Sequence, residues 1–292
     1  CWHSPSFIWV GLVWKSCSMI EYSLYELEAL SPLNSFSSPG LKKGMYLRVK
    51  KGEGYGYSDY FPHVELGDVS VEELLQGKRD EHFEKALWWA EHELEVSQRI
   101  TPSPFKNHNL YRGDEVSNDV LKLKVTSIQD FEKIVRIVKE CKALRLDANG
   151  TINVKQWNNF LIKLNDDERS KIEYIEDPGE GDWSELLVPS AKDFMDSPKF
   201  DFVVYKPNAR FLSSNSKAIF SSYMGSDLGR YHAWLDLMDK GDLNLVHGLH
   251  TPNIYRDQKE LFVKKSGAFE INIKVIDEIY LELRQRSWCC LN

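Results

Sequence analysis

The sequence has few cysteines and none of the spacings that cysteines adopt in zinc sites. Five occur among 292 residues, most of them close to the two ends, and no two form a CxxC pair. This usage excludes the common structural zinc modules. It favours a reducing, cytoplasmic compartment.

The sequence also lacks a long hydrophobic run and an excess of positive charge. The longest apolar run, FIWVGLVW at residues 7–14, is too short to cross a bilayer, and no basic segment precedes it as in a secretory signal. Lys and Arg total 37 against 44 Asp and Glu, a net charge of −7, with the acidic residues scattered. We therefore expect neither a nucleic-acid partner nor a membrane partner, but a small molecule or a metal ion.

The two ends of the sequence differ from the rest. The first residue is Cys1, and a more protein-like pattern begins at Met19. We therefore expect residues 1–18 to be a non-native segment, and we suspect the same of SWCCLN at residues 287–292.

The first third of the remaining chain predicts a small α+β domain at residues 19–105. Apolar and polar residues alternate between Met19 and Gly67, with glycines marking turns, which predicts an antiparallel sheet. Residues 70–99 then show the period of amphipathic helices. After a loop at residues 101–115 the rhythm changes again.

From residue 106 onward, short apolar strands alternate with helix-length connections. The predicted strands are VLKLKV (120–125), ALRLD (143–147), IEYIE (172–176), LLVPSAKD (186–193), FDFVVYK (200–206), KAIFSS (217–222) and LNLVHG (243–248). Ser127 and Asp130 form a near capping box that opens the helix after the first of them. This alternation predicts parallel pairing and a closing (β/α) barrel over residues 106–275, followed by a C-terminal helix and tail at 276–292.

Three successive strands end in a carboxylate, at Asp147, Glu176 and Asp193. Because the C-terminal ends of parallel barrel strands converge, these side chains can face one centre. Three oxygen ligands on rigid strands suit a hard cation such as Mg²⁺, with Mn²⁺ as a possible substitute. Lysines lie on nearby strands: Lys122 and Lys124 share one face, and Lys206 ends another strand.

Each of these features has a simpler interpretation when it is taken alone. An Asp after a strand, such as Asp147, is typical of a helix N-cap, and Glu-Asp-Pro is typical of a turn. Alternating lysines are typical of a solvated edge strand. The occurrence of these carboxylates and lysines in order on successive strands is what favours an active site over the simpler interpretations.

The series KLK, LDANG, IEDP, AKD and YKP resembles the o-succinylbenzoate synthase family, in the muconate-lactonising subgroup of the enolase superfamily, over roughly residues 20–275. GYGYSDYFPHVELGD (54–68) resembles the family's capping loop, and FSSYMGSDLG (220–229) its serine-rich strand and glycine. The resemblance implies a modified TIM barrel, preceded by an α+β capping domain.

The resemblance also implies roles for individual residues. Asp147, Glu176 and Asp193 would bind Mg²⁺, Lys124 would be the base, and Lys206 would be the lysine on the opposite face. Only 30 residues separate Glu176 from Lys206, so we expect an abbreviated helix there. The third ligand is the least secure, because Lys192 stands beside Asp193 and Asp196 is a possible substitute.

The implied reaction is a carbon–oxygen lyase (hydro-lyase) step of menaquinone (vitamin K2) biosynthesis. It is the syn dehydration of 2-succinyl-6-hydroxy-2,4-cyclohexadiene-1-carboxylate (SHCHC) to o-succinylbenzoate, through α-proton abstraction and a metal-stabilised enediolate. Lys124 would take the proton and return it to the departing hydroxyl. Lys122 would lie next to Lys124, and its like charge would lower the pKa of Lys124 and favour the neutral base. Asn149, Ser221 and Ser222 would support the site or bind substrate.

Several alternatives stay open at this level. The aromatic residues Tyr55, Tyr57, Tyr60 and Phe61 could form a lid or the core of the first domain, and His247 and His250 could reach the pocket. The same site could serve a dipeptide epimerase or an N-succinylamino-acid racemase. A metal-binding barrel without catalysis is a rival from another class, and the oligomeric state is undetermined.

Overall fold

The computed structural model describes residues 19–34, 36–111, 113, 119–193, 200–212 and 217–291. Residues 1–18 and Asp196 lie outside this set, so the expectations for them stay as predictions. No helix among the described residues is both long and apolar enough to cross a membrane.

The chain begins with an antiparallel sheet covered by helices, which we call the cap. Strands β1 (Ile20–Ala29), β2 (Gly40–Lys51) and β3 (Gly54–Tyr60) form a meander. Helices α1 (Val71–Leu75) and α2 (Glu81–Arg99) follow. Their starts are encoded locally: Ser70 and Glu73 form a capping box, and the Asp80 carboxylate accepts the Phe83 N–H at 2.7 Å.

The core of the cap follows from the period-two pattern of β2. Met45, Leu47 and Val49 point to one face and are fully buried. They pack against one face of α2, which contributes Phe83, Ala86, Leu87 and Ala90. Each large apolar side chain buried in this way contributes roughly 1.5–3 kcal/mol before the cost of ordering the chain.

The second unit is a parallel barrel. Its strands are β4 (Lys106–Asn107), β5 (Asn109–Leu110), β6 (Val120–Lys124), β7 (Ala143–Asp147), β8 (Ile172–Glu176), β9 (Ser190–Asp193), β10 (Phe202–Tyr205), β11 (Lys217–Phe220) and β12 (Val246–His247). Its helices are α3 (Phe131–Glu140), α4 (Val154–Leu161), α5 (Asp166–Ser170) and α6 (Asp227–Lys240). The capping box at Ser127 and Asp130 is present and opens a 3₁₀ turn that leads into α3.

The sheet closes on itself. Strands β5 to β11 pair side by side in parallel, and β12 pairs with β4. The Gly248 N–H donates to the Phe220 carbonyl at 2.8 Å, which joins the end of β12 to β11. Counting β4 and β5 as one strand interrupted at His108, the described residues form a ring of eight strands, and the prediction of a capped (β/α) barrel is confirmed.

Sequence reasoning missed the strand that completes this ring. Residues 101–115 were expected to be a loop, whereas β4 and β5 lie within them. Each has only two residues, with the sequences KN and NL, so neither shows a period that could be recognised. The expected abbreviated helix is confirmed, because the described link between β8 and β9 contains only a 3₁₀ turn at Trp183–Glu185.

The chain ends by returning to the cap. A hairpin of β13 (Phe262–Lys265) and β14 (Ala268–Ile271) precedes α7 (Ile273–Gln285), which begins inside the expected barrel range. Strand β15 (Cys289–Cys290) then pairs with β1, and the Arg48 guanidinium lies 4.5 Å from the Trp288 ring centroid. The described part of residues 287–292 therefore packs against the cap, and the suspicion that this segment is non-native stays a prediction.

Candidate active site

Alternation along the barrel strands divides their side chains between two environments. On β6, Leu121 and Leu123 pack outward in the cluster that includes the apolar face of α3, so Lys122 and Lys124 point into the barrel. A buried layer of Tyr174, Ala191, Val204 and Ile219 fills the interior. The residues two positions later on the same strands are Glu176, Asp193, Lys206 and Ser221, which form the layer above it.

A cavity of about 520 Å³ opens above this layer. It is lined by every residue that the sequence analysis singled out for the site: Lys122, Lys124, Asp147, Asn149, Glu176, Asp193, Lys206, Ser221 and Ser222. Residues at the ends of six different strands, β6 to β11, therefore meet in one place, as expected at the C-terminal end of a barrel. Their individual roles remain predictions.

The three carboxylates lie on the adjacent strands β7, β8 and β9. Asp147 is paired in register with Glu176, and both are buried. Burial raises the pKa of Glu176 to about 7; Lys122 opposes this shift, while the neighbouring Asp147 and Asp193 reinforce it. Burial likewise raises the pKa of Asp193, against the effect of Lys206. The cluster is a concentration of negative charge that needs compensation.

The lysines supply compensation in this structure. The Lys122 ammonium lies 3.0 Å from Asp147 Oδ2 and 2.7 Å from Glu176 Oε2. Burial alone would lower its pKa, but these carboxylates outweigh burial and hold the pKa well above its ordinary value. Lys206 lies 3.3 Å from Asp193 Oδ2, and the Lys124 side chain is exposed at the cavity. The closest partners of Lys122 are therefore carboxylates, and its expected effect on Lys124 stays a prediction.

The donor set fits a hard divalent cation. Among the described residues, no three His, Cys, Asp or Glu side chains are already arranged around a metal position, because lysine ammoniums lie between them. The three strand-end groups nevertheless offer only oxygen ligands, the type that Mg²⁺ prefers. Within the described part of the chain, the buried Asp193 Oδ1 has no hydrogen-bond partner, which leaves a ligand position available.

Two tight turns form the rim of the cavity beside the three carboxylates. Asn149 and Asp177 both adopt left-handed backbone angles, with φ of 47° and 45°. The Asp177 carboxylate pairs with Lys192 at 2.9 Å and accepts the Asp193 N–H at 3.2 Å. Lys192, whose place beside Asp193 was unexpected, thus holds a turn. Asp177 was missed as a lining residue, although the Glu-Asp-Pro motif contained it.

The aromatic residues proposed as a possible lid belong to the core. Tyr60 lies in the interior of the cap, Tyr57 packs against Trp288 and Tyr280, and Phe61 contacts Tyr25 and Tyr255. None of the four residues lines the cavity, and residues 31–34 of the cap lie over it instead.

The two histidines proposed near the pocket behave differently. His250 lines the cavity. His247 is buried, and its ring nitrogen Nδ1 accepts the Phe220 N–H at 3.2 Å. Burial lowers the pKa of each to about 4, so both are neutral at pH 7.

Arg145 is a buried charge that the sequence reasoning missed. It lies on the inward face of β7, two positions before Asp147. Its guanidinium donates to Glu173 at 2.6 Å and to the Val246 carbonyl at 2.8 Å, and lies 3.0 Å from His108 Nδ1. Because Arg145 lies two positions before Asp147 on the same strand, period-two alternation could have found it.

Comparisons with known proteins agree with this arrangement. The sequence model of a family described as O-succinylbenzoate synthase, N-terminal domain, matches residues 20–96. A curated o-succinylbenzoate synthase of Bdellovibrio bacteriovorus is 27% identical over 295 residues, which cover 81% of this chain and 87% of the relative. These similarities confirm the resemblance drawn from the strand-end motifs.

Solved structures confirm the fold. The o-succinylbenzoate synthase from Thermosynechococcus elongatus BP-1, complexed with Mg in the active site, has a TM-score of 0.59 at 17% identity and covers 90% of this chain and 99% of its own. An enolase family member from Agrobacterium tumefaciens with homology to dipeptide epimerases has a TM-score of 0.63 at 15% identity, covering 87% and 97%. Both activities considered for the site, o-succinylbenzoate synthase and dipeptide epimerase, thus occur among the names of similar structures.

Proposed function

We propose that the chain, which is similar to o-succinylbenzoate synthases in sequence and in fold, is a Mg²⁺-dependent lyase that dehydrates SHCHC to o-succinylbenzoate. The family model and the curated relative bear out this function as the sequence analysis predicted it. We further propose Lys124 and Lys206 as catalytic residues, and Asp147, Glu176 and Asp193 as the metal ligands.

One observation carries the proposal. Lys124 ends β6 and Lys206 directly follows β10, and these strands are four positions apart in a ring of eight. The two lysines therefore stand on opposite sides of the cavity. The carboxylates of β7, β8 and β9 lie on the arc between them. A carboxylate substrate bound at that arc would have a lysine on each face.

The residues support an elimination in which one amine acts twice. Lys124, in neutral form, removes the proton α to the substrate carboxylate, and the resulting ammonium then protonates the hydroxyl that leaves from the same face as water. Lys206, beside Asp193 on the other face, balances the negative charge that develops. Bound Mg²⁺ would supply Lewis-acid stabilisation at the substrate carboxylate. Ser221 and Ser222 line the wall that would receive the rest of the substrate.

A second candidate function has support from the same lysine pair. Bases on both faces of an α-carbon suit a 1,1-proton transfer, as in a dipeptide epimerase or an N-succinylamino-acid racemase. Incubation in D₂O with L-Ala-L-Glu and with N-succinyl amino acids distinguishes the functions. α-Deuterium exchange without dehydration of SHCHC would assign the chain to the racemising group.

The decisive experiment measures turnover of SHCHC with Mg²⁺ and with EDTA, in the wild type and in Lys124→Ala. We expect Mg²⁺-dependent turnover in the wild type and a loss of roughly 10³-fold in the variant, because no other group replaces the base. Mg²⁺ binding should be retained. Lys155→Ala, an exposed lysine of α4, is the control and should keep wild-type rates.

Two results would contradict the proposal. A wild type without Mg²⁺-dependent turnover removes the lyase function. Unchanged ligand binding in Lys124→Ala, together with no turnover in either protein, would instead support a binding barrel without catalysis.

We also place the protein in a reducing, cytoplasmic compartment. The buried Cys141 and the exposed Cys289 and Cys290 are free thiols, which supports this placement.

A further inference from the structure

The segment after β11, residues 221–226, belongs to two environments at once. Ser221, Ser222 and Met224 line the cavity. Tyr223 and Ser226 of the same segment are buried against the cap. This wall of the cavity therefore belongs to the barrel, but contacts with the cap hold it in position.

His63 of the cap holds the backbone of this segment. It is buried, and its Nε2 lies 2.8 Å from the Tyr223 carbonyl oxygen. A carbonyl can only accept, so Nε2 carries the proton and donates. Burial lowers the pKa of His63, which keeps the ring neutral and leaves Nδ1 as an acceptor.

The acceptor nitrogen of His63, Nδ1, contacts a second wall of the same cavity. The Asn34 amide donates to His63 Nδ1 at 3.4 Å and to Glu65 Oε1 at 2.8 Å. Asn34 belongs to residues 31–34, the cap segment that lies over the cavity. One imidazole therefore joins both walls, and it needs both of its nitrogens to do so.

Asp68 fixes His63 and Tyr223 relative to each other. Its Oδ2 accepts the His63 backbone N–H at 2.8 Å and the Tyr223 hydroxyl at 2.7 Å. Burial alone would raise the pKa of Asp68, but these hydrogen bonds and the one from His82 outweigh burial and hold the pKa at about 2. The carboxylate is thus ionised throughout the neutral range.

A second cap carboxylate anchors the far end of the segment. Asp59 Oδ2 accepts the Ser226 N–H at 2.9 Å, and Tyr25 donates its hydroxyl to the other oxygen. This close approach needs glycines, because a Cβ at Gly225 or Gly229 would lie 2.5 or 2.4 Å from Asp59 Oδ2. The sequence of the segment is therefore fitted to the cap.

The backbone between these anchors is strained. Met224 has a φ of 60°, a left-handed angle that is costly for a residue with a side chain. The Ser222 hydroxyl accepts the Met224 N–H at 3.0 Å, and Tyr255 donates to the Met224 carbonyl. Such a conformation persists only when its surroundings impose it.

We propose that His63, held by Asp68, is a positioning residue for substrate binding. Its two ring nitrogens connect the cavity wall formed by residues 31–34 to the wall formed by residues 221–226. The inference rests on the proposed lyase function for its substrate. It assigns His63 no contact with the reacting atoms. His63 determines the positions of Ser221, Ser222 and residues 31–34 at the cavity.

The test compares His63→Leu, which removes both ring hydrogen bonds, with His63→Gln, whose amide can donate from nearly the same place. Three quantities are measured: KM and kcat for SHCHC, Kd for o-succinylbenzoate by calorimetry, and amide hydrogen exchange of peptides covering 31–34 and 221–226. His92→Leu is the matched control, because His92 is a half-buried histidine of α2 whose ring, among the described residues, hydrogen-bonds within its own helix, to the Trp88 carbonyl.

For His63→Leu we expect KM and Kd to rise roughly tenfold while kcat stays within about threefold, since positioning acts on binding. Exchange should quicken in both segments. His63→Gln should restore KM to within about threefold of the wild type, and His92→Leu should leave all three quantities unchanged.

A folded His63→Leu with unchanged KM, Kd and exchange would overturn the inference, as would a variant that loses only thermal stability. Failure of the proposed function looks different. In that case the wild type does not turn over SHCHC, and the exchange comparison still decides whether His63 couples the two segments.

Discussion

At the scale of single residues, the cavity is organised by charge compensation. Asp147, Glu176 and Asp193 are brought together by three adjacent strands, and carboxylates so placed repel one another. Lys122 and Lys206 offset this repulsion in the structure. A bound divalent cation would offset it more completely, and the unpaired Asp193 Oδ1 indicates where one further ligand is offered among the described residues.

The third ligand can be tested directly. We expect Asp193→Asn to weaken Mg²⁺ binding by at least about tenfold, or about 1.4 kcal/mol, because an amide loses the charge that attracts the cation. Calorimetric titration with MgCl₂ measures this, and Asp257→Asn, at an exposed site, is the control. Unchanged affinity would move the third ligand elsewhere, with Asp196 the first candidate.

At the scale of elements, helix α2 carries an unusual buried charge. Lys85 is 1% exposed and lies 3.9 Å from Asp236 of α6. Asp236 is already satisfied by the Tyr205 hydroxyl at 2.8 Å and by Lys240 at 2.5 Å. Burial lowers the pKa of Lys85 to about 8, with Asp236 opposing the shift and Lys240 adding to it. The α2–α6 contact therefore buries an ammonium whose carboxylate partner, Asp236, is already bound by Tyr205 and Lys240.

Replacing this lysine should stabilise the protein in a pH-dependent way. The folded pKa of about 8 lies below the ordinary 10.5, so between these values the unfolded chain binds more protons and wild-type stability rises with pH. Lys85→Met should therefore exceed the wild type by about 1–3 kcal/mol at pH 7 and lose this advantage towards pH 10.

Urea denaturation of both proteins at pH 7, 8, 9 and 10 measures this difference. Lys155→Met on the exposed face of α4 controls for the general effect of removing a lysine. A difference that does not change with pH would show that packing, rather than the buried charge, is responsible.

At the scale of the whole molecule, the barrel is closed by its shortest described strands. Strands β4 and β5 have two residues each, so few backbone hydrogen bonds hold the junction with β12 and β6. Arg145 reaches across this junction from β7 to His108 and the Val246 carbonyl. A single side chain thus links the first, third and last strands of the ring.

We expect Arg145→Met to lower the free energy of unfolding by roughly 3 kcal/mol, because it leaves buried acceptors at the junction without their donor. Equilibrium denaturation in urea measures the change. Arg136→Met, at an exposed position of α3, should change stability by less than about 0.5 kcal/mol. Equal losses in the two variants would show that the junction does not depend on Arg145.

The sequence by itself determined the features that depend on neighbours along the chain. Period-two alternation placed Lys122 and Lys124 on one face, the strand-end position placed Asp147 at the common centre, and local hydrogen bonding defined the Ser127–Asp130 capping box. The alternation of strands with helix-length connections predicted a barrel, and the order of strand-end carboxylates and lysines predicted one common cavity. These signals are readable because strand period and helix capping span only a few residues.

Only the tertiary structure decided what depends on residues far apart in the chain. The two-residue strands β4 and β5 become strands because β12 and β6 pair with them, and the cap aromatics become core because β2, α2 and α7 surround them. Lys122 meets Glu176 across 54 residues, and His63 meets Tyr223 across 160. Such contacts leave no periodic trace, because closure of the ring and docking of the cap, rather than local preference, bring the partners together.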